Sequence, residues 1–213
     1  MILLAVEALL LVPAYLIGAI PFALIVGRVF FHCDLRQRGS GNLGATNTFR
    51  ELGVVAGVLV LALDMAKGAA GVAVAAYGVR FLAPGGATAD IGAFQLLAMF
   101  AVIAGHIYSP YLGFRGGKGV AAAAGALLFL MPMVAILLLL GFAALVVVFR
   151  MVSLASVLAT AAFPVLSWAF YSHDLAAVVL TVLATVLVIW RHRGNISRII
   201  RGVEPKLTLK KPT

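Results

Sequence analysis

Three polar, glycine-rich stretches hold most of the residues with chemical capacity. The first is Ser40-Gly41-Asn42-Leu43-Gly44-Ala45-Thr46-Asn47, ending at Arg50. The second runs from Gly105-His106 to Gly116-Gly117-Lys118-Gly119. The third runs from Arg191-His192-Arg193-Gly194-Asn195 to Glu204. Each mixes glycine with short donors and cations, the chemistry that holds phosphate. Glycine lets backbone N–H groups converge on an anion, and a helix N-terminus adds partial positive charge. In the first stretch Ser40, Asn42, Gly44, Thr46 and Asn47 are candidate donors, and Arg50 adds a bidentate fork. In the second, the amides of Gly116 and Gly117 and the Lys118 ammonium can surround a phosphate. In the third, His192, Asn195 and Arg198 recur at i, i+3 and share one helix face. A histidine there can take a proton near neutral pH. Taken singly, each stretch has a plain alternative: a capped turn, an interfacial loop or a basic tail.

Standard motif forms fail here. Gly39-Ser40-Gly41-Asn42-Leu43-Gly44 matches G-x-G-x-x-G, but an apolar helix and a basic turn precede it, not the strand of a βαβ unit. Gly117-Lys118 is followed by Gly119 where a Walker loop needs Ser or Thr, and Leu112 stands where it needs Gly. The four histidines are scattered and no H-E-x-x-H exists, so no metal and no cofactor is expected. His106 has Tyr111 where a His-x-x-x-x-Asp acyltransferase motif needs Asp; alone it reads as a hydrogen-bonded structural residue, and within its polar stretch as a candidate substrate contact. Ser153 and Ser156 open a helix beside Arg150, as caps or as phosphate contacts. Asp64 and Lys67 stand i, i+3 inside an apolar run, where ionisable groups are expensive; they are read as a structural ion pair.

Apolar segments must position these groups. The 213 residues are 64% hydrophobic and 11% charged, with mean hydropathy +1.15; a soluble domain is about half apolar and about a quarter charged. The single Cys33 excludes an internal disulfide and a cysteine-based metal cluster. The +9 charge flanks apolar segments as topology signals do, so no nucleic-acid partner is expected. Apolar runs fall at about 1–31, 51–80, 91–109, 119–131, 133–149, 153–171 and 174–190. Most approach the roughly 20 residues of a spanning helix. Pro13 and Pro21 are expected to bend the first, which is read as a retained span. Arg36, Arg38, Arg50, Arg115, Lys118 and the cations from Arg191 to Lys211 should share the cytoplasmic side. The connections near 81–90 and 172–174 carry Asp90 and Asp174 instead, with Arg80 the main cation. Parity then makes 119–149 cross twice, with an outer corner at Pro132, although 119–131 is short enough to be re-entrant. The expectation is a single all-α domain, 1–213, with seven spans, the N-terminus outside and the C-terminus inside. All three polar stretches then share one face.

With these residues in place, the chain closely resembles the bacterial acyl-phosphate:glycerol-3-phosphate acyltransferases, the PlsY-type integral membrane enzymes. The carriers are Ser40 to Arg50; Gly105-His106 with Pro110, Phe114 and Gly116 to Ala121; and His192 to Asn195 with Arg198, Gly202 and Glu204. Asp64-Met65-Ala66-Lys67-Gly68 is similar too. The resemblance implies transfer of a fatty acyl group from acyl phosphate to the 1-hydroxyl of glycerol 3-phosphate, giving lysophosphatidic acid and phosphate. It implies roles in activity for Ser40, Arg50, Lys118, His192 and Asn195, a glycerol-phosphate loop at Gly116 to Lys118, and a structural Glu204. It also implies a bacterial inner (cytoplasmic) membrane, a cytoplasmic active site and coupling to an enzyme that makes acyl phosphate. One departure is Val152-Ser153, where the family often carries two serines; Ser153 is the remaining contact for the donor phosphate. The competing class is a transporter of phosphate or a phosphorylated solute. Against it, no inverted repeat is evident and the polar stretches lie on one face, not at midplane.

Overall fold

A computed structural model describes residues 2–82, 92–171 and 173–207, and its regular elements among these are all helical. Helix α1 (Ile2–Ala19) carries Pro13 without interruption, and the chain breaks at Pro21 before α2 (Phe22–Phe31). Proline lacks the N–H that would hold an earlier carbonyl, so the carbonyls at the break need other donors. Lys67 Nζ donates to Ile20 O at 2.6 Å and Ser109 Oγ to Ala19 O at 2.7 Å. In lipid such satisfaction is obligatory.

The run beginning near 51 is two elements: short α3 (Ala45–Leu52) and 29-residue α4 (Val54–Leu82). Gly53 at φ +88° separates them, a conformation L side chains avoid. Next come α5 (Ala93–Ile107), α6 (Val120–Leu130), α7 (Pro132–Phe149), α8 (Val152–Phe170), α9 (Leu175–Arg191) and α10 (Arg193–Ile200). Asp174 caps α9, its carboxylate accepting from Ala177 N at 3.1 Å. Most of the 81–90 connection, including Asp90, lies outside the described residues, as do Lys210 and Lys211.

Among the described residues five segments are long and apolar enough to cross a membrane, making this a multi-pass membrane protein. The 17-residue α9 meets α10 at a 61° bend, and the pair counts as a sixth. Helix α6 is short, as its apolar run implied. Its 11 residues rise only ~16 Å, about half the hydrocarbon core. Gly119 takes φ +89° and delays the helix start to Val120. Small residues let helices approach closely: a Cβ on Gly125 of α6 would collide with the Met65 carbonyl of α4, and one on Gly105 of α5 with the Tyr15 carbonyl of α1.

Candidate active site

The three stretches, distant in sequence, converge on one cavity of about 810 Å³. Its polar end carries Ser40, Asn42, Gly44, Thr46, Asn47 and Arg50 from the first stretch, and His106 and Lys118 from the second. His192, Asn195, Arg198 and Glu204 come from the third, joined by Ser153 and Ser156. The remainder is an apolar arm between α4, α5, α6, α7, α8 and α9.

In the first loop, Gly39 and Gly41 take φ +56° and +68° to make the turn. Asn47, only 2% exposed, pins it. Its Oδ1 accepts from Ser40 N at 3.0 Å and Ser40 Oγ at 3.2 Å, while its Nδ2 donates to Arg38 O at 3.1 Å and Leu35 O at 3.4 Å. Asn47 lines the cavity, yet its hydrogen-bonding capacity serves the loop. Thr48 donates to Gly44 O at 3.1 Å.

The second loop departs from its expected chemistry. Gly117 N donates to His106 O at 3.0 Å and Gly116 N to Ile107 O at 2.9 Å. Neither glycine lines the main cavity. Arg191, read from sequence as part of a basic tail, donates Nη2 to both glycine carbonyls at 3.3 Å. The expected amide cradle is therefore absorbed into the loop's own bracing, and Lys118 is the group the loop delivers. Nothing local marks Arg191 for this; its partners lie 74 and 75 residues away.

A chain of side-chain bonds then links second stretch to third. Lys118 Nζ donates to Asn195 Oδ1 at 2.6 Å, and Asn195 Nδ2 to Glu204 Oε1 at 2.6 Å. Ser153 Oγ donates to the same Oε1 at 2.6 Å, and Arg198 Nε to Oε2 at 2.8 Å. Ser153 thus spends its hydroxyl proton on Glu204, not on a free phosphate site. Arg50 Nη2 donates to Pro205 O at 3.0 Å, tying the first loop to the tail. His192 is 2% exposed and its Nδ1 lies 2.8 Å from Val188 O. A carbonyl only accepts, so Nδ1 carries the proton and Nε2 keeps its lone pair. Asp64 and Lys67 pair at 2.8 Å, and His106 Nδ1 sits 3.8 Å from Asp64 Oδ1.

Burial pushes the Lys118 ammonium down to about 8, and Arg198, Arg50 and Arg191 push the same way against Glu204. Burial and the nearby Lys118 charge push His192 down to about 4, so its ring is neutral at pH 7. Burial alone would raise Glu204; hydrogen bonds from Ser153, Asn195 and Arg198 outweigh it and hold the carboxyl below its usual value. Among the described residues no three His, Cys, Asp or Glu side chains cluster as a metal site. Arg50, Lys118 and Arg198 face one ionised Glu204, a cation excess suited to a phosphate-bearing ligand.

A polytopic helical protein with a cation-rich pocket opening into an apolar arm is of the class that handles amphiphilic anions within a membrane. A glycerol-3-phosphate acyltransferase family model matches residues 8–202. A glycerol-3-phosphate acyltransferase of Macrococcus caseolyticus is 44% identical over 96% of this chain and 98% of its own length. That of Bacillus subtilis is 42% identical over 94% and 97%. The crystal structure of PlsY, an integral membrane glycerol 3-phosphate acyltransferase, in its glycerol 3-phosphate form superposes with TM-score 0.82 at 33% identity. It covers 95% of this chain and 96% of that one. The chain belongs to the glycerol-3-phosphate acyltransferase family, as its three motifs led us to expect, and is an acyltransferase.

Proposed function

We propose that this enzyme moves a fatty acyl group from acyl phosphate to the 1-hydroxyl of sn-glycerol 3-phosphate, giving lysophosphatidic acid and phosphate. One observation carries the reading: a single cavity joins Arg50, Lys118 and Arg198 to an apolar arm. Both substrates bring phosphate, and one brings an alkyl tail. The substrate hydroxyl oxygen attacks the acyl carbonyl carbon, and the bond from that carbon to the phosphate oxygen breaks. Phosphate leaves with the electron pair and takes up the hydroxyl proton. Acyl phosphate is already activated, so the protein's task is positioning and charge stabilisation. Lys118, Arg50 and Arg198 neutralise the phosphates. Ser40, Asn42 and Thr46 add short donors around them. Asn195 holds Lys118, and Glu204 holds Asn195, Ser153 and Arg198.

His192 suits orientation better than proton abstraction. Its Nδ1–H is committed to Val188 O, and a ring held near 4 is a weak base at neutral pH. Its Nε2 lone pair accepts from the substrate hydroxyl and aims it. His192→Gln should cost less than roughly a hundredfold in kcat; a loss of about ten-thousand-fold with substrate binding intact would make it the general base instead.

The same reading has one domain with seven spans, α6 and α7 forming a hairpin around Pro132. The N-terminus lies outside, and the polar end faces the cytoplasm of a bacterial inner membrane. The basic residues flanking that end support it, and an enzyme making acyl phosphate would feed it. Single-cysteine labelling in a Cys33→Ser background tests the sidedness. For the reaction, reconstituted enzyme receives palmitoyl phosphate or palmitoyl-CoA with glycerol 3-phosphate. Phosphate release dependent on glycerol 3-phosphate, with lysophosphatidic acid formed, is expected. Transfer only from palmitoyl-CoA overturns the donor, and solute counterflow without transfer overturns the reaction.

A further inference from the structure

We propose that the closed inner end of the apolar arm sets the acyl-chain length this enzyme accepts; the proposal rests on the acyl-phosphate reading above. Met99, Leu127, Ala135, Phe163 and Ala184, from five different helices, line the arm, and all are buried. Four of them lie roughly two to three helical turns from the polar residue at their own end: Met99 from His106, Leu127 from Lys118, Phe163 from Ser153 and Ala184 from His192. They therefore lie at a common level of the arm, where we place its inner end. The rise from Ser153 to Phe163 is ~15 Å at 1.5 Å per residue.

Beyond that level the bundle is filled. Leu130, Met131 and Val134, at the corner between α6 and α7, are buried and belong to the main apolar core. Ser167 Oγ meets Met131 Sδ at 3.6 Å across the corner. A packed interior does not yield volume freely. A tail that fits the arm exchanges lipid contacts for protein contacts at little cost. A tail that outgrows it must fold back or part the helices, which costs binding. Two of the five closing residues are alanines, so Ala135 and Ala184 leave room that a larger side chain would take. Phe163 takes room that a smaller one would release.

The test is the ratio of kcat/KM values for dodecanoyl, palmitoyl and stearoyl phosphate, measured in one preparation of each reconstituted variant. A ratio is insensitive to the fraction of enzyme that is folded. Ala135→Phe should raise the dodecanoyl-to-palmitoyl ratio about tenfold, the order of effect expected when a longer tail overpacks the narrowed arm. Ala184→Leu should move it the same way. Phe163→Ala should raise the stearoyl-to-palmitoyl ratio. Val165→Phe, on the lipid-facing side of α8, should move neither. If Ala135→Phe gives no turnover, Ala135→Leu replaces it. Unchanged ratios in active variants would show the tail leaving between helices into lipid and overturn the proposal while the reaction stands. No transfer from any acyl phosphate by the unaltered enzyme would sink the donor reading, and this proposal with it.

Discussion

The two glycine-rich loops divide their labour in opposite ways. In the first, a side chain holds the backbone: Asn47 binds Ser40 on one side and the carbonyls of Leu35 and Arg38 on the other. In the second, the glycines Gly116 and Gly117 are held by main-chain bonds and by Arg191, leaving Lys118 as the side chain the loop delivers to the cavity. Glycine in a phosphate-handling sequence thus does not by itself mean that amides face the phosphate. In the second loop it permits a compact turn that aims one cation.

This contrast is broken most severely at the cation. Lys118→Ala should lower kcat/KM by about a thousandfold, as expected for a charge placed at a reacting phosphoryl group, measured as phosphate release in proteoliposomes. Removing the pin of the first loop should cost less. Asn47→Ala removes the four hydrogen bonds that pin the loop and should destabilise the fold by about 1–3 kcal/mol, visible as a lower Tm in detergent. Arg191→Lys keeps the charge but loses the fork over the two glycine carbonyls. It should raise KM for glycerol 3-phosphate about tenfold with a smaller change in kcat. The mildest test is pH. Lys118 is charged below about 8 and loses its proton above it, so kcat/KM should fall as pH rises through that value. Lys118→Arg, whatever activity it keeps, should lack this falling limb, because arginine stays protonated.

Hydropathy and charge made much of this molecule legible, since both report which segments leave water. The helical runs, the break at Pro21, the corner at Pro132 and the three polar stretches were all readable that way. What escaped depends on partners far along the chain. Ser153 looked like a phosphate contact, but its hydroxyl goes to Glu204, 51 residues on. The shortness of α6 was legible too, since its apolar run is only 13 residues long and the helix fills all but its two ends. Asp64 and Lys67 did form the ion pair their i, i+3 spacing suggested, because that partnership is local.

The bond from Lys118 to Asn195 spans 77 residues, and Asn195 in turn leans on Glu204. A ribosome delivers these groups in order. When Lys118 has emerged and its helices are inserting, the residues that will fix its ammonium are not yet made. The site therefore stays unassembled through most of translation, and a nascent chain stalled before Asn195 is a membrane-inserted protein without a working acyl-transfer centre.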